Sequence, residues 1–121
     1  SSAMGIVLYY TPTSPPCRSV VMTACALGVR LNLKLVNIFA GEHLAPEYLK
    51  INPQHNVPAI DDDGFRLNES RAICIYLIRR YGQHKANHFY PEDPKQRAVV
   101  DQRLYFDATV LFPNFRQLYV S

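Results

Sequence analysis

With 121 residues, a net charge of +3 and an apolar share of 48%, the chain suits one core-forming domain and the start of another. The charge is too small and too interspersed for a nucleic-acid surface. Cys17, Cys25 and Cys74 are odd in number and lack metal-ligand spacing; this argues against a disulfide framework or a zinc site and for a reducing, cytoplasmic setting. No stretch reads as a secretory leader or a membrane span, so no membrane partner is expected. Ser1-Ser2-Ala3, ahead of Met4, reads as the remnant of an expression tag.

Gly5 to Tyr10 is an unbroken apolar and aromatic run, the pattern of a strand buried on both faces. Thr11 to Pro16 breaks it. A helix is predicted next, with Ser14 as N-cap, Pro15 at its first position, an inward stripe of Val20, Ala24 and Leu27, and Gly28 as the stop. Leu31 to Ile38 reads as a second strand, parallel to the first and joined to it by a right-handed crossover. A loop through Gly41-Glu42-His43 leads to a short helix, Pro46 to Ile51. Val57 to Ile60 and Phe65 to Leu67 then form an antiparallel hairpin around Asp61-Asp62-Asp63-Gly64.

Glu69 to Arg80 is a helix apolar nearly all round (Ala72, Ile73, Ile75, Tyr76, Leu77, Ile78), as expected of one sandwiched in the interior. Arg79 and Arg80 suit the negative end of its dipole, Gly82 closes it, and Cys25 and Cys74 are expected in the core. The elements make an α/β domain over residues 4–82, ordered β-α-β, α, β-β-α around a mixed four-stranded sheet. Residues 83–93 read as a polar linker. From 94 to 121, Val100, Leu104, Ala108, Leu111, Phe115 and Leu118 recur at helical spacing, with a bend near Pro113. Its apolar stripe calls for a partner, either a second copy or further chain.

Two segments suggest a clamp. A proline after Val57 removes a ladder donor and permits a bend, which would free the Val57 backbone to pair with an extended guest. Glu69-Ser70-Arg71 opens a helix, whose unpaired N–H groups and positive dipole end suit a carboxylate. The guest expected is an extended peptide with a free carboxylate.

These features resemble the thioredoxin-like domain of cytosolic glutathione transferases. The strings that carry the resemblance are Tyr10-Thr11-Pro12-Thr13-Ser14-Pro15-Pro16-Cys17-Arg18, Gly41-Glu42-His43-Leu44, Asn52-Pro53-Gln54-His55-Asn56-Val57-Pro58, Asn68-Glu69-Ser70-Arg71-Ala72-Ile73 and Asp101-Gln102-Arg103-Leu104-Tyr105-Phe106-Asp107. They are similar to the arthropod delta and epsilon classes, whose catalytic residue is a serine. The resemblance implies that Ser14 donates a hydrogen bond to the glutathione sulfur. It implies that Val57, beside a cis Pro58, pairs with the cysteinyl backbone, with Asn56 adjoining. Glu69 would hold the γ-glutamyl ammonium, Ser70 and Arg71 the neighbouring carboxylate, and His43 and His55 the glycyl end.

Each residue also has a plainer reading: capping for Ser14 and Glu69-Ser70, a simple turn at Pro58, and solvated surface for Arg71 and the histidines. The resemblance further implies an all-helical second domain, begun at 94–121 and incomplete, a homodimer, an apolar electrophile as second substrate and no metal. Thr13 and Asn56 depart from common residues of these classes without removing a required group. Two rival functions stand beside transfer: a truncated, non-catalytic glutathione-binding module, and a glutaredoxin-like thiol–disulfide oxidoreductase using Cys17, although the exposed position of such a motif is here Ser14.

Overall fold

The computed structural model describes residues 5–106, which divide into two units between Gln83 and His84. In the first, β1 (Ile6–Tyr10) pairs in parallel with β2 (Leu31–Leu35) and antiparallel with β3 (Ala59–Asp62), and β4 (Phe65–Asn68) lies outside β3. Helices α1 (Pro15–Leu27), α2 (Pro46–Ile51) and α3 (Ser70–Tyr81) complete it, with a 3₁₀ turn at Glu42–Leu44. This is the mixed four-stranded, thioredoxin-like arrangement expected.

The period-two geometry of β1 sends its residues into two cores. Ile6, Leu8 and Tyr10 join Val20 and Ala24 of α1, Ile60 of β3, and Ile73 and Leu77 of α3. Val7 and Tyr9 join Val36, Tyr48, Ala59, Ile51 and Val57 on the opposite face. Leu8, Ile60, Ile73 and Leu77 are fully enclosed, and each such side chain contributes about 1.5–3 kcal/mol of burial. Gly28 closes α1 in the left-handed region (φ 73, ψ 22), and the N–H groups of Gly28 and Val29 donate to the carbonyls of Cys25 and Ala24. Those bonds complete a glycine C-terminal cap.

Several boundaries differ from expectation. β2 ends at Leu35 rather than Ile38 because Asn37 builds a turn: its Oδ1 accepts from the Ala40 N–H, and its own N–H donates to Glu42 Oε1. β3 starts at Ala59, not Val57, and runs on to Asp62. The hairpin turn is therefore only Asp63-Gly64, both at positive φ (54 and 94), as a two-residue type I′ turn requires. α3 is not sandwiched. Only Ser70, Ile73 and Leu77 are buried, since α3 meets the sheet and α1 along a single stripe. Tyr76 and Tyr81 lie partly buried at the edge of the same core, and both donate to Asp62 Oδ2. Cys25 is exposed and Cys74 half-buried, its Sγ accepting from Thr23 Oγ1 at 3.3 Å. Gly82 stays helical (φ −73), and Gln83 takes the left-handed turn instead.

The stretch expected as a polar linker contains a 3₁₀ turn, Gln83–Lys85, and one turn of helix, α4 (Ala86–Phe89). α5 (Pro94–Phe106) is started by Asp93, whose carboxylate accepts from the Gln96 N–H. Arg97 lies 4.6 Å over the Tyr90 ring, and the Tyr90 hydroxyl donates to Asp101. The positions Ala108, Leu111, Pro113, Phe115 and Leu118 lie outside the described residues. Among the described residues no helix is long and apolar enough to cross a membrane.

Candidate functional site

Ser14 sits where β1 hands the chain to α1. Its N–H donates to the Thr11 carbonyl, and Thr11 Oγ1 donates in turn to the Val36 carbonyl, so the loop is tied to the core cluster that also carries Val57. Ser14 is extended (φ −82, ψ 118) and caps the helix: its Oγ accepts from the Cys17 N–H at a long 3.4 Å. The cap uses a lone pair and leaves the hydroxyl proton available for an anion. Pro15 and Pro16 have no N–H, and the Arg18 N–H already donates to the Ser14 carbonyl. The helix therefore presents almost no free amides, and the Ser14 hydroxyl is the group left to meet negative charge. Cys17 is 1% exposed and packed inside.

The Val57–Pro58 peptide is cis, with Pro58 buried and Val57 half-buried. The sheet ladder begins two residues later, and the Val57 N–H and C=O have no hydrogen-bond partner among the described residues. The preceding carbonyl is held firmly instead. Asn56 C=O accepts from the Tyr48 hydroxyl and from Asn52 Nδ2 at 2.8 Å. Asn56 Oδ1 is also taken up within the loop, accepting from Asn52 Nδ2 at 2.6 Å. Burial pushes the Tyr48 phenol up to about 12, because a phenolate there would lie in a dry pocket facing a carbonyl.

Glu69, at the entrance to α3, has φ 75 and ψ 109. A side chain is rarely tolerated in that left-handed region and costs of order 1–3 kcal/mol there, a type of strain that clusters at functional sites. Glu69 Oε1 accepts from Arg71 Nη1 at 2.9 Å and from the Arg71 N–H at 3.4 Å, while Arg71 Nη1 also reaches Ser70 Oγ at 3.2 Å. The Arg71 side chain is only 16% exposed, so the reading of a solvated surface arginine fails. Ser70 is buried, and its N–H is one of the amides a helix cannot satisfy internally. The turn at Glu42–Leu44 and the left-handed His55 (φ 47) bring the His43 and His55 rings to 6.3 Å between centroids. His43 Nδ1 is buried without a hydrogen-bond partner among the described residues. An orphaned polar atom of this kind costs roughly 1–3 kcal/mol.

Sequence reasoning missed Tyr48, Asn52 and Asn68. Asn52 is 3% exposed, and its signals in the sequence were its place as a polar residue closing a short helix and at the head of the Asn52–Pro58 string. Among the described residues no group of three or more His, Cys, Asp or Glu could hold a metal.

The family profile described as Glutathione S-transferase, N-terminal domain matches residues 8–85. A Nilaparvata lugens delta-class glutathione transferase is 57% identical with a TM-score of 0.88, over 94% of this chain and 53% of that one. An epsilon-class glutathione S-transferase from the housefly Musca domestica is 50% identical with a TM-score of 0.85, over 89% and 49%. A Drosophila mojavensis glutathione transferase homolog, solved with bound glutathione, is 42% identical with a TM-score of 0.85, over 89% and 48%. The chain thus spans about half the length of these solved relatives.

Proposed function

The chain belongs to the glutathione S-transferase family, and from that premise we propose that it binds glutathione, lowers its thiol pKa and directs the thiolate at an apolar electrophile. The observation that carries the reading is the open Val57 backbone beside buried Pro58: it offers one donor and one acceptor, strand-fashion, to an extended peptide. The cysteinyl residue of glutathione would pair there. Glu69 would take the γ-glutamyl ammonium, and Ser70 with the α3 amides the neighbouring carboxylate. Arg71 would act by holding the Glu69 and Ser70 side chains in place, as its contacts suit it to do. Asn56, its side chain engaged within the loop, would hold Val57 in place. His43 and His55 would meet the glycyl carboxylate.

In the reaction the thiol proton leaves for solvent, the sulfur lone pair forms an S–C bond, and the electrophile's leaving group departs with its bonding pair. Ser14 would donate its hydroxyl proton as a hydrogen bond to the thiolate. Lowering the thiol pKa by ~2 units requires about 2.7 kcal/mol of differential stabilisation. A hydrogen bond to a charged group contributes about 1.5–3 kcal/mol. With two prolines in the first turn, the hydroxyl must supply most of it. Cys17 is enclosed, which speaks against the thiol–disulfide alternative. The homodimer, the cytoplasmic location and detoxification as a role extend the same reading.

Ultraviolet titration of the thiolate of bound glutathione tests it, wild type against Ser14→Ala. A depressed pKa that the alanine variant loses is the expected result. Glutathione bound with an ordinary thiol pKa would sink the activation step and leave a binding module.

A further inference from the structure

We propose that Asn68 is a positioning residue that locks the two halves of the clamp together through the buried Asn52. The orientation of the Asn52 amide is set by backbone groups on both sides. Its Oδ1 accepts from the Gln54 N–H at 3.1 Å, and its Nδ2 donates to the Asn56 carbonyl at 2.8 Å. With that end assigned as oxygen, the Asn68 atom 3.0 Å from it must be Nδ2. The same Nδ2 meets Gln54 Oε1 at 2.9 Å and Asn56 Oδ1 at 3.5 Å. Asn52 thereby spends both donors and both lone pairs, leaving no slack in the cluster.

The bridge spans the two segments argued above to hold the ligand. Asn52 to Asn56 runs directly into Val57, whereas Asn68 is the last residue of β4 and is followed at once by the strained Glu69 and by Ser70. Three amide side chains from the loop thus grip the residue that launches α3. The separation between the Val57 backbone and the α3 amides is set before any ligand arrives, and fixing it in advance lowers the ordering cost of binding. A ligand touching both halves benefits, and loosening either half loosens the other.

The inference rests on the glutathione reading, and its test separates the two. Glutathione binding is measured by calorimetry for the wild type, Asn68→Ala, Asn68→Asp and Asn68→Ser, together with the pKa of the bound thiol. Asn68→Asp keeps the shape but turns a carboxylate toward three acceptor oxygens. Asn68→Ala and Asn68→Asp are expected to raise Kd about tenfold, ~1.4 kcal/mol, with the bound thiol pKa unmoved because Ser14 is untouched. Asn68→Ser keeps a short donor and should fall between. Variants binding within twofold of wild type overturn the inference. So does loss of the thiol shift together with affinity, since that marks collapse of the site as a whole. A wild type that does not bind glutathione overturns the underlying reading, and this inference with it.

Discussion

Replacing Glu69 by alanine and by glycine separates its backbone strain from its chemistry. Both substitutions delete the carboxylate and its 2.9 Å pair with Arg71. That pair contributes at most about 1 kcal/mol, because Glu69 is 56% exposed and solvent screens it. Both also delete the side-chain cap, whose 3.4 Å length puts it at the weak end. The two variants then differ mainly in how they tolerate φ 75. Alanine keeps a strain of order 1–3 kcal/mol, while glycine relieves it and loses roughly 0.5–1 kcal/mol through the freer unfolded chain. Glu69→Gly should therefore be more stable than Glu69→Ala by about 1 kcal/mol, read from urea midpoints at equal slope. Glutathione affinity should fall at least tenfold in both. Equal midpoints would refute the strain argument, and wild-type affinity in either variant would refute the role in ammonium binding.

Tyr48 should make the fold sensitive to alkali. Its phenol is raised from 10.0 to about 12 by burial, so the stability it contributes is fully present below pH 10 and is lost as pH rises through 12. A two-unit shift corresponds to roughly 2.7 kcal/mol. Tyr76 and Tyr81 are raised too, by burial and then by the Asp62 carboxylate, and their losses should add in the same direction. Urea melts between pH 9 and 12 should show a shallower decline for Tyr48→Phe, and parallel curves would contradict the assignment. Iodoacetamide should label exposed Cys25 in the native state and spare Cys17, which is 1% exposed, until the protein unfolds. Rapid native labelling of Cys17 would revive the thiol–disulfide reading.

Much of the fold is legible locally. The unbroken run at β1 announces a strand covered on both faces, and Gly28 announces the end of α1, because each follows from the residue's own burial or its own φ. Ser14, Val57, Pro58 and Glu69 are legible as candidates for the same reason: a helix start, a missing amide and an acid at a helix entrance are short-range facts. The limits of β3 are not. Its extent to Asp62 depends on pairing with Ile6 across the sheet, far away in sequence.

The sequence by itself determined the β-α-β, α, β-β-α order and pointed to the pair of segments proposed as the clamp, because periodicity, capping and proline chemistry act within a few residues. Only the tertiary structure decided that α3 buries a single stripe, that Cys25 faces water and that Arg71 is committed to Glu69 and Ser70. It alone placed Asn68 against Asn52, Gln54 and Asn56, partners 12 to 16 residues away. An amide's hydrogen bonds depend on what folding brings to within 3 Å of it, and nothing in an asparagine's own neighbourhood says what that will be.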